Sequence, residues 1–248
     1  VLRDTGLVFV YQTRRLMRSP VVIVVGIMQP LLWLLLFGPL LKGLTAPGLD
    51  SSEAFDLFAP GLLVLLALYG SLYTGFELIS EWKAGVVDRM VVSPMRTAAL
   101  ILGKALRDVL AIGIQGVILM LVAFAMGLDA ELTGVLVAFG LFAVVIVMAS
   151  TFSYAVALTL RDENLMSQMM GFLSLPLLLL SGVVLPLSLA PDWLRHVAQA
   201  NPFYHVVMAS RSSMAGDFGD ASLPIALVSC TVLTVLVLRW AVGSLRRV

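Results

Sequence analysis

Few side chains in this sequence could do chemistry, and their spacing decides which kinds. The candidates are the two histidines, His196 and His205, the single Cys230, and a thin scatter of acids and bases. No group of His, Glu or Asp has metal-ligand spacing, so no metal site is expected. No G-x-S-x-G or other nucleophile motif stands on a suitable turn, so no catalytic residue is assigned. The phosphate-cradling pattern G-x-x-x-x-G-K-S/T is also absent: around Gly103-Lys104 the required positions hold Ala98 and Ala105. A nucleotide would have to be bound by another chain, and no cofactor is expected on this one. Cys230 lies in an apolar run and reads as a small buried hydrophobe with no disulfide partner. His196 and His205 could sense pH or take a ligand, but the commoner role for such a histidine is an interfacial polar residue, and they are read so here.

The densest run of useful groups is Ser80-Glu81-Trp82-Lys83-Ala84-Gly85-Val86-Val87-Asp88-Arg89. As a helix over 80–97, its spacing sets Glu81, Gly85, Asp88 and Arg89 on one stripe, with Val86, Val87 and Met90 opposite. Pro94 stops that helix, because Ser93 before it is biased away from the α region. A short charged helix with an apolar back could slot into a groove on a partner. It could equally be a solvated loop helix, and spacing alone leaves both open.

The elements that must carry these groups follow from composition. The chain has 248 residues, 60% hydrophobic and 12% charged, with a mean hydropathy of +1.03. Soluble domains run near 45–50% apolar and about 25% charged. A soluble globule could not hide this much apolar surface, since about a quarter of the unfolded chain's surface stays in water at this size. That excludes an ordinary soluble enzyme, a disordered chain and a nucleic-acid binder. A polytopic, all-α membrane protein remains, organised as one transmembrane domain over 1–248. Crossing about 30 Å of hydrocarbon takes about 20 mostly apolar residues. Six segments qualify, at approximately 20–41, 56–79, 103–127, 132–160, 167–189 and 222–242.

Charge orients them. Arg3, Arg14, Arg15, Arg18, Lys83, Arg89, Arg96, Lys104, Arg107, Arg161, Arg239, Arg246 and Arg247 fall on one side. Only Lys42, Arg195 and Arg211 fall on the other, which carries the acids Asp50, Glu53, Asp56, Asp129, Glu131, Asp192, Asp217 and Asp220. The positive-inside rule then puts both termini and the 80–103 loop in the cytoplasm. No charge is expected at mid-span; Glu77, Arg107 and Asp108 sit near the cytoplasmic ends of their helices. A gradient-driven pump normally needs a titratable relay at depth.

Two further pieces are amphipathic. Residues 1–18 suit an interfacial helix, with Arg3, Asp4, Arg14, Arg15 and Arg18 on one side and Leu2, Phe9, Val10, Leu16 and Met17 on the other. Leu7 and Val8 intrude on the polar side, and a basic tail that only sets topology is the other reading. These residues do not have the pattern of a cleaved signal peptide. The stretch 186–216 is divided by Pro186, Pro191 and Pro202. Candidate helices at 192–200 and 203–215 are too short to cross, and suit a hairpin dipping into the outer leaflet. Small residues recur at Ala67, Ser71 and Gly75, and at Ala149, Ser153 and Ala157, as in close helix packing within or between chains.

Three sets of residues together resemble one family over nearly the whole chain. They are Gln29-Pro30-Leu31-Leu32-Trp33 with Phe37-Gly38; Glu81, Gly85, Asp88-Arg89, Ser93-Pro94 and Gly103-Lys104; and Leu185-Pro186-Leu187-Ser188, Pro191-Asp192-Trp193-Leu194, Asn201-Pro202 and Arg211. The chain resembles the membrane-spanning permease of type-2 ABC exporters, close to the daunorubicin-resistance and nodulation-factor export permeases. The resemblance implies six transmembrane helices, an N-terminal interfacial helix, a coupling helix between the second and third spans, and re-entrant outer helices after the fifth. It implies two permeases, identical or related, and two separate ATPase subunits that hold ATP and Mg2+. Carried onto this sequence, Glu81, Gly85, Asp88 and Arg89 become the ATPase-facing residues. Gln29, Trp33, Tyr69, Tyr73 and Phe76 become candidates for the translocation path, and their aromatic and amide character suits a lipophilic or amphipathic cargo such as a drug, antibiotic or glycolipid. Pro191, Trp193, Asn201, Pro202 and Arg211 mark the outer re-entrant segment. The expected location is a bacterial-type cell membrane. A gradient-driven secondary transporter and a non-transporting membrane scaffold are the alternatives.

Overall fold

The computed structural model describes residues 2–17, 21–44, 51–87, 97–183 and 190–245, with side chains described within 21–44 and 51–87 only for 24–36 and 58–87. The regular elements among the described residues are all α-helices. In chain order they are α1 (Leu2–Met17), α2 (Val21–Leu44), α3 (Ser51–Leu72), α4 (Gly75–Lys83), α5 (Thr97–Ala125), α6 (Leu132–Leu160), α7 (Glu163–Leu179), α8 (Asp192–Gln199), α9 (Pro202–Met214) and α10 (Ser222–Leu245). Among the described residues, four stretches are long and apolar enough to cross a membrane: Phe58–Lys83, Thr97–Ala125, Leu132–Leu160 and Ser222–Leu245. A shorter apolar helical run spans Val24–Leu36 in α2.

The segment expected at 132–160 is α6 itself. The one expected at 167–189 is shorter and starts earlier: α7 has 17 residues, about 25 Å at 1.5 Å per residue. Its start is set by Asp162, whose carboxylate accepts from the Leu165 backbone N–H at 2.9 Å, a side-chain cap on otherwise unpaired donors. It ends in a turn through Gly182, which takes φ +72°.

α6 organises the bundle, packing against α3, α4, α5, α7, α9 and α10. It is apolar all round, and a buried surface of Ala138, Ala149, Ser150, Ser153, Ala155 and Ala157 lets neighbouring backbones come close. The two small-residue stripes meet within the chain. α3 and α4 form one span broken at Tyr73-Thr74, and Ser153 of α6 bridges the break. Its hydroxyl donates to the Leu72 carbonyl at 2.5 Å and accepts from the Gly75 N–H at 2.9 Å. A Cβ on Gly75 would lie 2.5 Å from the Ser153 carbonyl oxygen, so only glycine allows this contact.

α1 lies against α5. Thr5, Val8, Gln12 and Leu16, spaced three or four apart, are its buried face. Val8 is therefore part of the contact surface rather than an intruder among polar residues, and Gly103 of α5 leaves room for it. The single helix expected over 80–97 is interrupted among the described residues. α4 stops at Lys83, and Ala84-Gly85 make a turn with Gly85 at φ +68°. A residue without a Cβ enters that left-handed region at no steric cost, which ends the helix. The stripe joining Glu81 to Gly85 is broken there, and Asp88 and Arg89 lie outside the described residues.

Candidate functional site

The polar centre of the molecule lies at the end of the bundle where the basic residues gather. α4 carries Glu77 and Glu81 four residues apart, hence on one side of the helix. α5 presents Lys104, Arg107 and Asp108, buried in its first three turns. α1 adds Gln12 and Arg15, and α6 adds Tyr154.

These groups pair into one network. Glu81 accepts from Lys104 Nζ through Oε2, and from Arg15 Nη1 through Oε1 at 2.6 Å. Gln12 Nε2 donates to the same Oε1 at 3.4 Å. Arg107 donates to Glu77 through Nη2, and its Nη1 lies 3.3 Å from Asp108 Oδ1. The Tyr154 hydroxyl donates to Asp108 Oδ2. The Glu81 and Asp108 side chains are each 1% exposed and that of Lys104 is 2%. Burying ions is costly unless each finds a partner and its hydrogen bonds. Here the cations Arg15, Lys104 and Arg107 meet the carboxylates Glu77, Glu81 and Asp108, so the charges balance.

Arg15 Nη1 lies 2.6 Å from Glu81 and 4.0 Å from Glu77. One cation thus stands between two carboxylates a turn apart, paired with Glu81 and within reach of Glu77. The last turn of α4 is fastened on its exposed side too. Lys83 Nζ pairs with Glu163 Oε1 at 2.8 Å, and the Arg161 guanidinium sits 4.0 Å over the Trp82 ring. The arrangement is a set of ions that neutralise one another. It can hold α1, α4, α5 and α6 in register at the point where the chain leaves α4 for the loop.

Glu81, expected to face outward to a partner, is instead turned into the chain, because Lys104 and Arg15 neutralise it there. Gly85 sits at the turn leaving α4. Of the expected path residues, Gln29 is exposed, Trp33, Tyr69 and Phe76 are half-buried, and Tyr73 is exposed. Tyr73 and Phe76 stack across the α3–α4 break at 5.9 Å. At the opposite end, Pro191 and Trp193 are exposed, Trp193 by 67%. Asn201 is buried: its carbonyl oxygen caps α9 through the Phe203 N–H at 3.1 Å, and its amide donates to the Leu177 carbonyl at 3.1 Å. Pro202 opens α9, where its missing N–H costs nothing. Arg211 donates to the Gly182 carbonyl at 3.0 Å. The His196 and His205 rings each bond a nearby backbone carbonyl.

Sequence reasoning missed Arg15, Lys104, Arg107, Asp108 and Tyr154 as partners in a site. A signal was present: two acids four apart closing one apolar helix, and three charges within the first three turns of the next.

A helical bundle with several apolar spans, organised around a hub helix and an ion network at one end, defines a multi-pass membrane protein. Residues 4–215 match the ABC-2 type transporter family, and the chain belongs to it. It is 31% identical over 198 residues to a putative transport permease ycf38 of Cyanophora paradoxa, covering 78% of this chain and 68% of that protein. It is 28% identical over 204 residues to the daunorubicin resistance ABC transporter permease protein DrrB1 of Streptomyces coeruleorubidus, covering 81% and 71%. The chain is thus a transport permease of the ABC class, a family that works with an ATPase partner and a paired permease.

Proposed function

We propose that this chain is the membrane half of an ABC exporter, moving a lipophilic or amphipathic cargo outward with energy from ATP hydrolysed, with Mg2+, on a separate subunit. The basic end faces the cytoplasm of a bacterial-type cell, with both termini there, and two permeases, identical or related, pair with two ATPase subunits. The loop that begins at Gly85 and carries Asp88 and Arg89 receives the ATPase. Movement of that loop pulls on α4, and the ion network passes the displacement to α1, α5 and α6. The observation that carries this reading is the position of the network, directly behind the turn at Gly85 and centred on Glu81. The drug-resistance name of one relative supports a lipophilic cargo. Gln29, Trp33, Tyr69, Tyr73 and Phe76 stay the candidates for the path, and Pro191 to Arg211 for an outer re-entrant segment.

The test is transport in vesicles holding the chain with its ATPase subunit. ATP should drive accumulation of a lipophilic cation, and Asp88→Ala with Arg89→Ala should abolish it while the chain stays folded. Full ATP-driven transport by that variant would remove the loop from the mechanism. Transport by the chain alone in a pH gradient would favour a secondary transporter instead.

A further inference from the structure

The break in the second span sets a direction as well as a bend. In an α-helix the Gly75 N–H would meet the Ser71 carbonyl, and the Phe76 N–H the Leu72 carbonyl. Here the Gly75 N–H goes to the Ser153 hydroxyl, which itself donates to the Leu72 carbonyl. The Ser71 carbonyl takes the Thr74 N–H at 3.3 Å and the Thr74 hydroxyl at 2.8 Å. The Phe76 and Glu77 N–H groups donate to the Tyr73 and Thr74 carbonyls, three residues back, each at 3.2 Å. Thr74 has φ −65° and ψ −24°, the values of a 3-10 turn.

A 3-10 turn advances about 120° per residue, against about 100° in an α-helix. The three tighter bonds therefore turn α4 about its axis by on the order of 60° relative to α3. Side-chain tips stand about 5–6 Å from a helix axis, so such a rotation carries a carboxylate about 5 Å. An ion pair is lost beyond about 4 Å. The pairs of Glu77 with Arg107 and of Glu81 with Lys104 thus need the turn as it stands. An unbroken helix would point the same two acids elsewhere.

We propose that Ser153 is a positioning residue for transport: its hydroxyl holds the tight turn, and so sets the angle at which α4 presents Glu77 and Glu81 to α5 and α1. Ser153 is fully buried. Without its hydroxyl, the Gly75 N–H and the Leu72 carbonyl lose their partner in apolar surroundings, which is costly. They regain partners by closing the ordinary bonds four residues apart, and α4 then rotates out of the ion network. The step from rotation to transport rests on the reading of the Gly85 loop as the ATPase contact; the rotation itself does not.

The test uses the full chain in lipid vesicles, with its ATPase subunit where transport is read. A spin label on Ser80→Cys reports α4 against a second label on Asn164→Cys of α7 or Met17→Cys of α1. All three positions are exposed, and Cys230 is buried and silent. Two references are used so that rotation in either sense alters at least one distance. Ser153→Ala should shift one of them by about 5 Å. It should also lower the tetraphenylphosphonium moved per ATP about tenfold, the size expected for losing a hydroxyl that makes two hydrogen bonds. Ser153→Thr keeps the hydroxyl and should retain both values. Thr74→Val removes only the second donor to the Ser71 carbonyl, and should move both readouts the same way by less; it decides the matter if Ser153→Ala fails to fold. Unchanged distances in Ser153→Ala, or an equal loss in Ser153→Thr, would overturn the proposal. Shifted distances with unchanged transport per ATP would remove Ser153 from transport. If the unaltered chain moves no cation with ATP, the exporter reading fails, and the distances still decide the register.

Discussion

The two ends of the bundle are fastened by different chemistry. At the basic end, side chains hold side chains: Arg15, Lys104 and Arg107 against Glu77, Glu81 and Asp108, from α1, α4 and α5. At the acidic end, side chains and caps hold backbone. Asn201 binds the Leu177 carbonyl, Arg211 binds the Gly182 carbonyl, and the Glu131 N–H donates to the Met214 carbonyl at 3.2 Å. A charge pair can have more than one partner in reach, as Arg15 has in Glu81 and Glu77. A bond to a backbone carbonyl at a helix end moves only with the whole helix. The basic end is therefore tied through side-chain charges, and the acidic end through main-chain acceptors.

The comparison breaks most readily at Glu81. Glu81→Ala leaves Lys104 buried and unpaired, and should cost about 3–5 kcal/mol in unfolding from lipid or detergent. Adding Lys104→Met should restore most of that stability, since a buried pair often exchanges for apolar residues at little cost. A loss below about 1 kcal/mol for the single variant would mean water or lipid already shields Lys104. At the acidic end the largest effect should come from Asn201→Ala. It removes a helix cap and a bond to α7, at about 1–2 kcal/mol, with faster amide exchange at Phe203. Lys83→Ala should cost under about 1 kcal/mol in the same unfolding measurement, because its pair with Glu163 is exposed.

The smallest effect is a titration at the start of α10. The Ser222 backbone N–H donates to Asp220 at 2.7 Å and holds its carboxyl below the usual carboxylate range. Because the folded form has the lower pKa, its stabilising contribution is complete at neutral pH. It fades as pH falls through that lowered value. The Ser222 amide resonance should follow the titration in a magnetic resonance experiment, and Asp220→Asn should flatten it.

What the sequence made legible was set by local signals. α6 has its expected limits because an apolar run is bounded by Glu131 and Arg161. α8 and α9 lie close to their expected places because Pro191, Pro202 and Gly216 punctuate them. Glycine was underweighted at Gly85, where a charge stripe suggested continuity and the positive φ ended it. α7 was drawn too long, because apolar composition ran on past the turn at Gly182. The ion network was hidden for another reason. Apart from the neighbours Arg107 and Asp108, its partners are 23 to 69 residues apart in the chain, and only the docking of α1, α4, α5 and α6 brings them together. Helical spacing places Arg15 on the polar side of α1, but it does not say that Glu81 waits there.

The Ser153 bridge makes the second span a knee rather than a rod. A straight helix that bends must give up a carbonyl and an amide to do so. At Tyr73-Thr74 that loss has already been made good by one hydroxyl from α6. The shin, α4, and the thigh, α3, are both seated among their neighbours, and α6 bears the load at the joint.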